Sequence, residues 1–237
     1  MKRLFSILVV FIIVTCSACA ENAVVFRNIP WGTNYTTAKS ICSDITWYNY
    51  SSESHYADTV KDIVGIGEDY DAINQNINMY AYSSSSSKIS VAGYSVEDVN
   101  MYFAFTPNPS GMLTHDDNNT ALYMASYTLE PADYEGVFLD LQNKLSSIYG
   151  NPIDTYSETS IFGDKYTYVT YHSGDAKVYL KLHDQTNSSW KIGNNKIYIY
   201  YVWDNATIAL RQADTAITLE NSANEAKNYG NGNISGL

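Results

Sequence analysis

The stretch ALYMASYTLEPADYEGVFLDLQNKLSSIYGNP, residues 121–152, decides how the chain is built. Its first nine residues, Ala121 to Leu129, are mostly apolar or aromatic and contain no glycine or proline, so they read as a strand. Pro131 then suits the first turn of a helix, and Asp133 and Glu135 sit where they favour the positive end of its dipole. Tyr134, Phe138, Leu141, Leu145 and Ile148 recur every three to four residues as one apolar stripe. Gly150 is placed to end the helix and Pro152 prevents its resumption. The spacing therefore predicts a helix over residues 131–149 that starts a new unit directly after a strand.

A similar order appears upstream. In FRNIPWGTNYTTAKSIC, residues 26–42, Pro30 and Gly32 break regular structure and Thr33 is the expected helix cap. Ala38, Ile41, Cys42 and Ile45 follow as a helical stripe, and Trp31 is expected to anchor that helix to the core. Between residues 44 and 87 the signals are weaker. ITWYNY (45–50) fits a strand, ADTVKDIVGI (57–66) a short helix, and the serines at 83–87 a turn or linker. KISVAGYSV (88–96) and DVNMYFAF (98–105) then alternate as strands, with Val99, Met101, Phe103 and Phe105 on one face. A polar connection over residues 107–119 leads into the strand at Ala121.

Downstream of the helix, KYTYVTYH (165–172), AKVYLKLH (176–183) and NKIYIYYVW (195–203) read as strands, the first two joined by a turn at Gly174-Asp175. Val178, Leu180 and Leu182 point one way and Lys177, Tyr179 and Lys181 the other; Ile197, Ile199, Tyr201 and Trp203 share a face on the last strand. TIALR (207–211) is expected as a further short strand, followed by a weak helix and tail. Hairpin-length connections imply antiparallel pairing. The expected fold class is α+β: two similar helix-plus-antiparallel-strand units, over residues 21–129 and 130–211, able to share a sheet. Residues 212–237 form the C-terminal helix and tail.

The first 20 residues, MKRLFSILVVFIIVTCSACA, have a basic start, an apolar run of signal-peptide length and small residues at the end. Ala18-Cys19-Ala20 fits ordinary cleavage before Glu21. Ser17-Ala18-Cys19 fits the end of a lipobox and makes Cys19 the candidate for lipidation, although Cys16 stands where that motif takes an aliphatic residue. Either reading places the working chain outside the cytoplasm. Without this segment the chain carries 12 basic and 25 acidic residues, a net charge of −13. Such a balance has no electrostatic footprint for nucleic acid, and contact with a membrane is expected only through a lipid on Cys19. Beyond the leader Cys42 is the only cysteine, so no intrachain disulfide can form.

Local catalytic patterns are missing from the sequence. His55, His115, His172 and His183 show no metal-ligand spacing, and there is no nucleophile elbow, P-loop or dinucleotide fingerprint. His172 and His183 end neighbouring strands and can lie close together. The acidic stretches GEDYDAINQN (67–76) and HDDNN (115–119) lack the register of a calcium loop. Neither a metal nor any other cofactor is expected. What stands out is tyrosine, 22 of 237 residues. Tyrosine suits strands, and it suits binding surfaces because it offers large area at low entropy cost. Tyr168, Tyr179, Tyr198 and Tyr200 fall on neighbouring strands as an expected exposed aromatic face.

FRNIPWGTNYTTAKSIC, SVAGYSVEDVNMYFAF, the strand-and-helix stretch 122–152 whose helix ends in Tyr-Gly-Asn-Pro, KIYIYYVW and the terminal Ser-Gly-Leu resemble a family of secreted or lipid-anchored proteins of gut-type anaerobic bacteria without an assigned activity. The helix-then-strands order is also loosely similar to the BamE/SmpA lipoproteins and to β-lactamase-inhibitor protein, folds that bind other proteins. The absence of every local catalytic motif favours a non-catalytic extracytoplasmic interaction module with an unknown protein or glycan partner in the cell envelope. The alternative is an envelope hydrolase or glycan-binding enzyme whose catalytic residues are dispersed along the chain.

Overall fold

The computed structural model describes residues 25–51, 54–65, 78–84, 89–108, 110–111, 116–190 and 193–230. The leader with Cys19, the acidic stretch at 67–76 and His115 lie outside the described residues. In chain order the elements are α1 (Tyr35–Ile41), β1 (Tyr48–Ser51), α2 (Ser54–Val64), β2 (Asn78–Ser84), β3 (Ser90–Val91), β4 (Tyr94–Ser95), β5 (Asp98–Phe105) and β6 (Thr120–Leu129). Then come α3 (Tyr134–Tyr149), β7 (Asp154–Thr159), β8 (Lys165–Ser173), β9 (Ala176–Asp184), β10 (Lys196–Trp203) and α4 (Ala206–Gly230).

Eight strands form one sheet in the order β1-β2-β5-β6-β10-β9-β8-β7, and every pairing is antiparallel. The fold is α+β, and its two units share that sheet. Each unit contributes a four-stranded run, and the last strands of the two units, β6 and β10, pair at the centre.

Helix α3 forms where the spacing predicts but starts at Tyr134, with Asp133 as its cap, so Pro131 precedes the helix instead of occupying its first turn. The Asp133 carboxylate accepts from the Gly136 N–H, and Gly150, at φ 83°, closes the other end by donating to the Ser146 carbonyl. In α1 the cap is Asn34, not Thr33. The Asn34 side chain accepts from the Thr37 N–H, whereas the Thr33 hydroxyl donates to the Pro30 carbonyl. Two further expectations are corrected. KISVAGYSV is not one strand: Ala92 and Gly93, both at positive φ, fold it into the tight hairpin β3–β4. TIALR is the start of helix α4. Ala206, Leu210, Ala213 and Ile217 recur at helical spacing and are all buried, a periodicity that outweighs the β-branched residues at its start. Strand β7, DTYSET, gives no apolar alternation because all six residues are exposed on an edge strand.

Alternation along the strands makes two unlike faces. The first carries α1 and α3. Val99, Met101 and Phe103 of β5, Leu122, Ala125 and Leu129 of β6, Val169 and Tyr171 of β8, Val178 and Leu180 of β9, and Ile197 and Ile199 of β10 pack there against Tyr35 and Ala38 of α1 and Phe138, Leu141 and Leu145 of α3. Two expected stripe members fall outside this core: Ile41, in the last turn of α1, and Ile148, in the last turn of α3, are both exposed. Trp31 is half-buried and packs against the edge of this core. Its neighbours join the sheet directly: the Gly32 N–H donates to the Leu122 carbonyl and the Leu122 N–H to that of Thr33, beyond the point where β10 stops pairing with β6.

The second face carries α2 and α4. A bulge in β6 turns both Tyr123 and Met124 to this side, where they join Tyr102, Ala104, Phe105 and Val202 beneath Leu210, Ala213 and Ile217 of α4. Phe105, at the end of β5, also joins this cluster, away from Val99, Met101 and Phe103.

Candidate functional site

Helix α4 covers only one end of the second face. Towards the opposite end, the outward positions of six adjacent strands come into line. One row across the sheet runs Asp98, Thr128, Tyr198, Lys181, Tyr168, Tyr156, on β5, β6, β10, β9, β8 and β7. The next runs Asn100, Ser126, Tyr200, Tyr179, Thr170. Beyond the first row, Lys196, His183 and Tyr166 stand side by side. Part of these rows surrounds a cavity of about 500 Å³, roofed in part by Thr59 of α2 and lined by the hydroxyls of Ser126, Thr128, Tyr198 and Tyr200 with Asp98, Asn100, Lys181, His183 and Lys196.

Lys181 is the most unusual group in this trough. Its ammonium lies over two rings, 4.9 Å from the centre of Tyr166 and 5.0 Å from that of Tyr168. It has no hydrogen-bond or ion-pair partner among the described residues. Burial pushes its pKa below the ordinary lysine value, against the opposing charges of Asp62 and Glu158. His183 stacks on the other ring contact of Tyr166, 4.6 Å between centres. Its Nε2 is buried and 3.6 Å from the Asp164 carboxylate, too far for a hydrogen bond. Burial lowers the His183 pKa, and the Asp164 charge only partly offsets this. Burial also raises the Asp98 pKa, with Glu97 adding to the effect and Lys196 opposing it. Lys196 itself is engaged by Glu130 at 2.7 Å. On the far wall Asn100 is 8% exposed, and its Oδ1 has no hydrogen-bond partner.

The four tyrosines singled out in the sequence do share this face, but they are not an open aromatic surface. Tyr168 and Tyr200 are buried, at 6% and 4% exposure, and Tyr179 and Tyr198 are partly buried. Burial raises the pKa of all four. Tyr198 and Tyr200 stack on each other with centres 5.7 Å apart, and Tyr168 stacks on Tyr156 at 4.4 Å. Helices α2 and α4 supply the cover: Val60, Ile63 and the buried stripe of α4 belong to the same cluster as these rings. Trp31 packs against the core of the opposite face and takes no part in the trough.

The histidines do not come together. In the antiparallel β8–β9 pair His172 lies opposite Lys177 near the turn, while His183 lies opposite Tyr166 at the other end, about 20 Å along the strand. His172 instead meets Asp204 at 2.8 Å. Of the acidic stretch at 115–119, Asp116 is spent on a local turn, accepting from the Asn118 backbone. No cluster of metal-ligating side chains occurs among the described residues. A second cavity, of about 330 Å³, runs between α4 and Pro107 and Gly111; it is lined by apolar side chains such as Ile208 and Leu219.

Sequence reasoning had no means of finding Asp98, Asn100, Ser126, Thr128 and Lys196 as site residues. Each is simply an outward position on its own strand. The available signal was the pairing of polar outward residues on β5 with lysine and tyrosine on β9 and β10, which needs the strand order. None of the described helices is long and apolar enough to cross a membrane. No protein-family model, curated protein or solved structure matches the chain.

Proposed function

We propose that the protein is a non-catalytic, extracytoplasmic interaction module of the cell envelope that holds a polar group of its partner in the trough of the second face. The leader sequence and its candidate lipid site at Cys19 support the location. One observation carries the binding reading: the side-chain carbonyl of Asn100, buried and without a hydrogen-bond partner among the described residues, lines the same cavity as the Lys181 ammonium, which is held over the rings of Tyr166 and Tyr168. Buried polar groups are normally paired, so a buried acceptor left open on a cavity that also carries a half-buried ammonium is best explained by a ligand that meets both. The envelope-hydrolase alternative has the His172–Asp204 contact behind it. That pair lies at the other end of the strands from the trough, and no hydroxyl or thiol among the described residues hydrogen-bonds to His172.

Capture from envelope extract tests the reading, using the chain from residue 21 as bait. The wild type should retain a partner that Lys181→Met and Asn100→Leu, each shown to melt cooperatively, release. An identical captured set from wild type and both variants would remove the trough from the function. Anchoring is tested separately. Fatty-acid labelling lost in Cys19→Ser supports lipidation, and Glu21 as the N-terminus by mass spectrometry ends it.

A further inference from the structure

The binding reading leaves the ligand open, and the trough's chemistry narrows it. Lys181 on β9 and Asn100 on β5 are separated by β10 and β6, so they stand about 14 Å apart across three strand spacings. A single small ion cannot satisfy both. Between them the floor presents the hydroxyls of Ser126, Thr128, Tyr198 and Tyr200, with Asp98 alongside. This is a row of hydrogen-bonding groups over aromatic rings, with little bare apolar surface between them. Such a lining suits a chain of hydroxyl-bearing rings better than a peptide, whose apolar side chains would find no pocket here.

The two ends set the polarity of that ligand. Lys181 offers N–H donors and no acceptor, held in place by the faces of Tyr166 and Tyr168. Lys196 does not compete for the same anion, because Glu130 occupies it. Asn100 Oδ1 can only accept, so it calls for a donor such as a sugar hydroxyl. Resting on the binding reading above, we infer that the trough takes an acidic saccharide, a short chain of rings whose carboxylate is held by Lys181 and whose hydroxyl donates to Asn100. The lowered pKa of Lys181 agrees with this, because burial outweighs the pull of Asp62 and Glu158 and a ligand carboxylate would further favour the charged ammonium.

The test is a binding titration of the chain from residue 21 against uronic-acid oligosaccharides of one to three rings, each paired with its carboxyl-reduced counterpart. The acidic member of at least one pair should bind about tenfold or more tighter than its reduced form, the size expected for a hydrogen bond to a charged group. Lys181→Met should abolish that preference and Lys181→Arg should keep part of it, while Asn100→Leu should weaken both members of the pair. Equal binding of acidic and reduced sugars, or a preference unchanged in Lys181→Met, overturns the inference. So does the absence of saccharide binding by a chain that still captures an envelope partner through Lys181, or Lys181-dependent binding of peptide carboxylates instead. In those last two cases the binding reading survives. Loss of Lys181-dependent capture would defeat that reading itself.

Discussion

The two faces of the sheet are made by the same strands and end in opposite conditions. On β9, Val178 and Leu180 enter a dry core sealed by α3, while Tyr179 turns to the second face and Lys181 borders its polar trough. The first face is closed because two amphipathic helices bring complementary stripes to it. The second is closed by α4 over Ala104, Met124 and Val202 and left partly open over Asp98, Thr128 and Lys181. Covering a face thus does two jobs here. Where the cover is apolar it stabilises the fold, and where it is incomplete it holds tyrosine, lysine and histidine half out of water, which shifts their protonation equilibria. A fully exposed tyrosine face could not do the second.

Substitutions at matched positions on the two faces sharpen this contrast. The largest effect belongs to the first face: Phe103→Ala removes a ring at 0% exposure that meets Tyr35 edge-on, and should cost about 3–5 kcal/mol in chemical denaturation. A loss below about 1 kcal/mol would mean that this core is loosely packed. On the second face, Tyr198→Ser should cost about 2 kcal/mol, more than an exposed change and less than the core one, because the ring is partly buried and stacked on Tyr200. A neutral result would return the tyrosines to solvent and remove the trough's floor.

Replacing the open polar groups should act in the opposite direction. Asn100→Leu removes a buried oxygen without a partner and is expected to stabilise the chain by about 1 kcal/mol while weakening binding. A strongly destabilised variant would show that Asn100 holds the structure rather than a ligand. The smallest effect concerns pH. His183 has a folded pKa below its unfolded value near 6.5, so the unfolded chain binds more protons as pH falls through that value. Stability should therefore rise with pH through the window below about 6.5, and the wild type should lose more than His183→Gln on acidification. Asp164, Lys181, Lys196 and Tyr166 face the same imidazole and remain in both chains, so the difference between the two melting profiles reports His183 alone. Parallel profiles would place that imidazole in an unperturbed setting.

Much of the architecture was legible before any coordinates. The α3 stripe of Phe138, Leu141 and Leu145, its stop at Gly150, the inward set of β9 and Ile197, Ile199 and Tyr201 of β10 follow from residue spacing alone, because one side of each element meets the core and the other does not, whereas Trp203, expected on the same face, packs with the opposite cluster. Elements without that asymmetry were hidden. Strand β7 has no buried side, β3–β4 is set by two positive-φ residues, and α4 begins with a sequence equally at home in a strand. The sequence by itself determined the α+β class, the tyrosine-bearing face and the membership of Tyr168, Tyr179, Tyr198 and Tyr200 in it, since period-two alternation is a local property of each strand. Only the tertiary structure decided that β6 lies beside β10, that α2 and α4 fold over the same face, and that Lys181 therefore shares a cavity with Asn100. Those facts depend on long-range strand order and on where helices dock, and no single strand carries a signal for either.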